Sequence, residues 1–172
     1  MNAPDPAAPL FAFLDELGIH HETAVHPQVF TVAEAKLHRA RGDGAHVKNL
    51  FLRNKKGAMW LVTTLEDRPV DLKALGRLLG AGNLSFASPE RLRQHLGVEP
   101  GSVTPLAAMC DRERVVQVVL DAAILREAVV HCHPLTNDRT TTLSVADLLR
   151  FLRATGHEPS TLDLDAPTPS DA

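Results

Sequence analysis

The stretch HVKNLFLRNKKGAMWLVTT, residues 46–64, decides the fold. Two apolar runs flank Lys55-Lys56-Gly57, a basic turn. Apolar runs of strand length around a glycine-bearing turn predict a β-hairpin. Lys48 stands where the first run begins to bury itself, so a charge is placed at the mouth of a strand. Its plain reading is a packed stem with the amine reaching water. Its other reading is a functional cation in a partly dry site.

Working outward, helical and strand patterns interleave. PLFAFLDELG (9–18) reads as a short helix with Pro9 near its start and Gly18 past its end. HHETAVH (20–26) reads as a strand. TVAEAKLHRARG (31–42) has Thr31 and Glu34 at capping-box spacing and Gly42 as a stop. In PVDLKALGRLLG (69–80), an aspartate precedes Leu72, Leu75, Leu78 and Leu79 on one helical face. SPERLRQHLG (88–97) repeats the logic with Ser88 as cap, Pro89 in the first turn and Gly97 at the end. RVVQVVLD, EAVVHCHP and RTTTLS are rich in β-branched residues and read as strands. SVADLLRFLRATG (144–156) is an amphipathic helix. No regular βαβ rhythm appears. The expected fold is therefore α/β, a single domain with a mixed, curled β-sheet surrounded by helices. Residues 1–8 are expected to be a flexible N-terminus, 9–165 the domain, and 166–172 a flexible tail.

Composition narrows the function. The 172 residues are 44% hydrophobic and 23% charged, the balance of a globular protein. No apolar run approaches the ~20 residues of a membrane helix, and the N-terminus makes a poor secretory signal. Cys110 and Cys132 form no CxxC pattern, so free thiols and a cytoplasmic location are expected. The net charge of −3 argues against a non-specific nucleic-acid coat. Yet Lys36, Arg39, Arg41, Lys48, Arg53, Lys55 and Lys56 face only Asp43 in their window, which carries +6. A basic patch on an acidic protein suits one phosphate-rich partner held at a defined spot, or is merely a solvated face.

The chain has no GxGxxG, GxxxxGK[ST], HExxH or GxSxG. In VVHCHPLTNDRTTTLS (129–144), His131 and His133 share a strand face. Two histidines could hold a metal, but no third ligand stands at a diagnostic spacing; no metal and no cofactor are expected. Pro134 stops the strand and Asn137-Asp138 is turn chemistry, which puts His133 at a strand-to-loop mouth. In GVEPGSVTPLA (97–107), Gly101 would let a backbone N–H approach a ligand, although on this motif alone a plain loop is the preferred reading.

Together VKNLFLRNKKG, GSVTP and HPLTNDRTTTLS with DLLRFLRATGHEP resemble the YbaK/ProX family of prolyl-tRNA editing domains, in particular its free-standing members acting on Ala-tRNA(Pro). The resemblance implies an aminoacyl-tRNA hydrolase that clears a small mischarged amino acid from tRNA(Pro). It implies catalytic roles for Lys48, Gly101 and His133, and substrate contacts from Asn49, Ser102, Pro105 and Asn137. It implies an acceptor stem as partner, with Lys36, Arg39, Arg41, Lys55 and Lys56 on its phosphates, and prolyl-tRNA synthetase or an elongation factor as a second partner. No membrane partner is expected. Three alternatives stay open: the same fold acting on Cys-tRNA(Pro) or another small residue, a non-catalytic module that binds aminoacyl-tRNA or a synthetase, and a small metal-binding protein using His131 and His133.

Overall fold

The computed structural model describes residues 3–31, 33–34 and 44–165. The hairpin forms as its sequence predicts. β2 (Ala45–Arg53) and β3 (Met59–Leu65) run antiparallel, from the Val47–Leu65 pair to the Arg53–Met59 pair. Asn54 closes the turn: its N–H donates to the Ala58 carbonyl (3.1 Å), and its Oδ1 accepts from the Ala58 N–H (3.0 Å). From Met59 to Thr64, β3 is buried on both faces, which explains why its residues 59–62 are apolar without alternation.

Around the hairpin lie β1 (Glu22–Val25), β4 (Ser85–Phe86), β5 (Val116–Asp121), β6 (Val129–Cys132), β7 (Arg139–Ser144) and β8 (Ser160–Leu162). They form one mixed sheet of eight strands in the order β1-β7-β6-β2-β3-β5-β8, with β4 also pairing to β2. Pairs β2–β6, β3–β5 and β5–β8 are parallel; the other pairs are antiparallel.

The helices are α1 (Ala8–Glu16), α2 (Leu72–Leu79), α3 (Pro89–Leu96) and α4 (Val145–Ala154). Their ends follow the predicted caps. Asp71 accepts from the Lys73 N–H, Ser88 from the Arg91 N–H, and Ser144 from the Asp147 N–H. Leu10, Leu14, Leu148, Phe151 and Leu152 bring α1 and α4 onto β6 and β7 around Val130 and Leu143. Leu92 and Leu96 of α3 pack on Phe51 and Leu61, and Leu75 of α2 packs on Leu52, Trp60 and Val62. The core thus follows the sheet in three patches.

Three features were not legible. β4 has two residues, and β8 lies in a polar stretch after the last predicted helix. The loop expected after Gly97 contains a 3-10 turn at Pro105–Cys110, capped by Thr104. Both cysteines are free; burial pushes the Cys132 thiol up to about 12 and raises Cys110 as well. The predicted helix from Thr31 to Gly42 lies mostly outside the described residues. Its opening is seen: the Thr31 hydroxyl accepts from the Glu34 N–H (3.1 Å), and Glu34 Oε2 accepts from the Phe30 N–H (3.1 Å). Among the described residues, no helix is long and apolar enough to cross a membrane.

Candidate active site

β2 changes partners along its length. Its register with β6 covers Ala45 and His46, and its register with β4 covers Leu52 and Arg53. Between them, among the described residues, 47–50 have a strand neighbour only on the β3 side, while the Phe51 carbonyl already accepts from the Ala87 N–H (2.9 Å) beside β4. The sheet opens there, and a cavity of about 210 Å³ fills the gap. Val47, Lys48, Asn49, Glu66, Val29, Phe30, Gly101, Val103 and His133 are among its walls. A strand that loses one neighbour halfway is how this fold makes a hole beside a charged side chain.

Lys48 and Asn49 are adjacent on β2, and both reach the cavity. Among the described residues, no hydrogen bond or ion pair ties down the Lys48 ammonium. Asn49 is fixed on both sides: its Oδ1 accepts from the Thr63 hydroxyl (2.6 Å), and its Nδ2 donates to the Val103 carbonyl (3.1 Å). The second bond holds the Gly101–Val103 loop against β2. Glu66, one residue past β3, puts a carboxylate on the same wall system.

Gly101 has φ of +90°, the left-handed region that favours glycine. A Cβ there would lie 3.1 Å from Phe30 Cδ1 and 3.2 Å from Asn137 Nδ2. Only a residue without a side chain lets the loop sit this close. Asn137 is buried behind it. Its Nδ2 donates to the Val29 carbonyl (2.7 Å), and its own carbonyl accepts from the Val29 N–H (3.3 Å). Asn137 therefore pins the 26–31 segment from outside the cavity lining. Ser102, within the loop, and Pro105, the first residue of the 3-10 turn, are likewise buried.

His133 follows β6 at the mouth foreseen for it and lines the cavity. Its Nδ1 lies 3.1 Å from the Arg139 carbonyl, an acceptor only. Nδ1 must therefore carry the proton, which leaves Nε2 of the neutral ring as an acceptor. Burial holds the His133 pKa below its ordinary value, with the His26 ring, 6.4 Å away, adding to the effect. The hydrogen bond to the Arg139 carbonyl opposes this. His131 does something else. Its ring stacks on His46 at 4.4 Å, and its Nδ1 meets the Thr142 hydroxyl at 2.7 Å. It is absent from the cavity wall. Among the described residues, no three His, Cys, Asp or Glu side chains gather as a metal site.

Of the predicted phosphate contacts, Lys55 and Lys56 sit at the hairpin tip, beside a second depression lined by residues 80–83. That is roughly 20 Å along the strand direction from Lys48. Lys36, Arg39 and Arg41 lie outside the described residues. Sequence reasoning missed Phe30 and Glu66. The only signal for Phe30 was a lone aromatic after His26-Pro27 in a segment of no regular period.

The sequence model of the family described as the aminoacyl-tRNA editing domain matches residues 26–151, from the end of β1 into α4. The chain belongs to this family. The editing domain resembles the prolyl-tRNA synthetase associated domain-containing protein 1 of Xenopus laevis, with 44% identity over 168 residues, 95% of this chain and 99% of that one. It is 35% identical to the prolyl-tRNA editing protein ProX of Acetoanaerobium sticklandii over 161 residues, 93% of this chain and 98% of the relative. A solved structure described as a candidate trans-editing enzyme for prolyl tRNA synthetase superposes with a TM-score of 0.69 at 25% identity. That match covers 94% of this chain and 99% of the other. The mixed sheet with its flanking helices is thus the YbaK/ProX-type fold.

Proposed function

We propose that this editing domain is an aminoacyl-tRNA deacylase that hydrolyses alanine mischarged on tRNA(Pro). One observation carries the reading: in a chain of the editing family, an ammonium with no partner among the described residues, a glycine loop and a neutral imidazole line one small cavity. The name of the bacterial relative, a prolyl-tRNA editing protein, supports the choice of tRNA.

The reaction is attack of water on the ester carbonyl, followed by departure of the terminal ribose oxygen. The ester is already activated, so the protein needs to position it and stabilise the developing oxyanion. Lys48 supplies positive charge to that oxyanion or to the terminal phosphate. In a cavity partly closed to water, the charge counts for more than at the surface. The backbone near Gly101 holds the carbonyl or the ribose. Nε2 of His133 accepts a hydrogen bond from the attacking water or the neighbouring ribose hydroxyl. Asn49, Ser102, Pro105 and Asn137 keep the loop in place around the acyl group. Lys55 and Lys56 meet acceptor-stem phosphates, which positions the tRNA without reading its sequence.

Selectivity follows from size. A synthetase pocket rejects a smaller side chain weakly, because a methylene is worth only ~1–3 kcal/mol. A second site too small for proline removes alanine by exclusion. The test is a panel of alanyl, prolyl, cysteinyl and seryl esters on one tRNA(Pro), run between about 50 and 200 mM salt. The alanyl ester is cleaved, the prolyl ester is spared, and affinity falls with salt. Equal rates on alanyl and prolyl esters refute the sieve. Fastest turnover of the cysteinyl or seryl ester reassigns the substrate. Binding without turnover makes the domain a capture module.

A further inference from the structure

Most large apolar side chains of this protein are withdrawn from water; Phe51 is 4% exposed and Phe151 fully buried. Phe30 is 64% exposed, although it belongs to the cavity wall. An exposed phenyl ring forgoes hydrophobic stabilisation and by itself needs no explanation. What separates this one from the equally exposed Phe86 is that it stands on the cavity wall, on a firmly held backbone. Its own N–H donates to Glu34 Oε2 (3.1 Å). The preceding Val29 is gripped through both backbone groups by Asn137, at 2.7 and 3.3 Å. The His26 N–H donates to the Asp138 carbonyl (2.9 Å). On its inner side the ring rests over Gly101, where any Cβ would crowd it at 3.1 Å. The ring is thus held at the cavity rim while most of its surface is left bare.

A bare aromatic at the edge of a ligand cavity is a surface on which an unpaired base stacks. The ring's position matches the substrate geometry. If the aminoacyl ribose enters a cavity of about 210 Å³, the base on the same ribose must remain outside, at the rim. We propose that Phe30 is the stacking platform for the terminal nucleobase of the tRNA, a positioning residue that aligns the ester with Lys48. The proposal rests on the deacylase reading above. Stacking is sequence-tolerant, since every base offers a π-face. It is also made equally in the ground and transition states, so it acts on KM rather than kcat.

Phe30→Leu keeps apolar bulk and removes the π-face; Phe30→Trp enlarges it. With alanyl-tRNA(Pro), F30L raises KM about ten-fold with kcat within about two-fold of wild type, and F30W restores KM. A direct readout uses uncharged tRNA bearing 2-aminopurine as its last base: fluorescence is quenched by wild type and F30W and stays bright with F30L. Matching thermal midpoints show that the variants fold. Unchanged KM and unchanged quenching in F30L overturn the proposal, as does a loss confined to kcat. Should wild type cleave no aminoacyl ester, the deacylase reading falls by itself, while the quenching experiment still decides whether Phe30 stacks a base.

Discussion

His133 is half-buried and His157 buried, and the fold uses them in opposite ways. His157 spends both ring nitrogens on the protein: Nε2 on Asp111 Oδ2 at 2.8 Å and Nδ1 on the Thr155 hydroxyl at 2.9 Å. Asp111 also accepts from the Val116 N–H (2.8 Å), so the ring ties the end of α4 to the start of β5. His133 spends one nitrogen on a carbonyl and keeps the other at a cavity wall. A histidine with every polar atom used is a fastener. One with a nitrogen left over, on a cavity wall that Lys48 also lines, has room for a further partner. The contrast between a region built for cohesion and a region built for a ligand makes separable demands on activity and on stability.

The largest expected effect tests the ligand side. Lys48→Ala lowers kcat/KM for alanyl-tRNA(Pro) by about 10²-fold or more, the scale of losing an oxyanion-stabilising group. Its thermal midpoint stays at the wild-type value, because among the described residues nothing is bonded to the ammonium. Near-normal turnover would remove Lys48 from the mechanism. A large drop in midpoint would move it to the cohesive side of the comparison.

The converse variant is next in size. His157→Ala strips a partner from a buried carboxylate and costs about 2–3 kcal/mol of stability, lowering the midpoint by roughly 5–10 °C for a chain of this length. Turnover measured well below the new midpoint is retained. Lost turnover with retained stability would show that the two regions are coupled.

The smallest effect concerns protons. The native pKa of His133 is depressed by burial, so between the ordinary ~6.5 and its lowered native value the unfolded chain binds more protons than the native one. Stability therefore falls as pH drops through that window and levels off below it; above ~6.5 the ring contributes no slope. His133→Asn, whose amide can still donate to the Arg139 carbonyl, flattens this part of the profile. Denaturant unfolding at a series of pH values measures it. An unaltered slope in the Asn variant would show that another group carries the proton uptake.

Most of the scaffold could be read from residue types. Asp71, Ser88 and Ser144 cap helices, Pro89 opens one, and Lys55-Lys56-Gly57 turns the hairpin, because capping and turning are local chemistry. β8 escaped because its residues stay partly or fully exposed and it joins the sheet through backbone pairing with β5, which leaves no hydrophobic period to detect. The cavity was half legible. Lys48, Gly101 and His133 could be singled out along the chain, but their convergence depends on the parallel β2–β6 ladder ending after His46. That non-local event also brings Phe30 and Glu66 to the wall, and neither carries a local signature.

The one-sided stretch of β2 has a chemical consequence of its own. Peptide groups in residues 47–50 that meet no second strand are hydrated when the cavity is empty, since buried backbone polar groups demand partners. An incoming ligand strips that water. An ester or sugar oxygen can take over its hydrogen bonds, whereas a hydrocarbon cannot. A preference for oxygen-bearing guests is therefore written into the main chain, where side-chain substitutions can reshape the hole without erasing it.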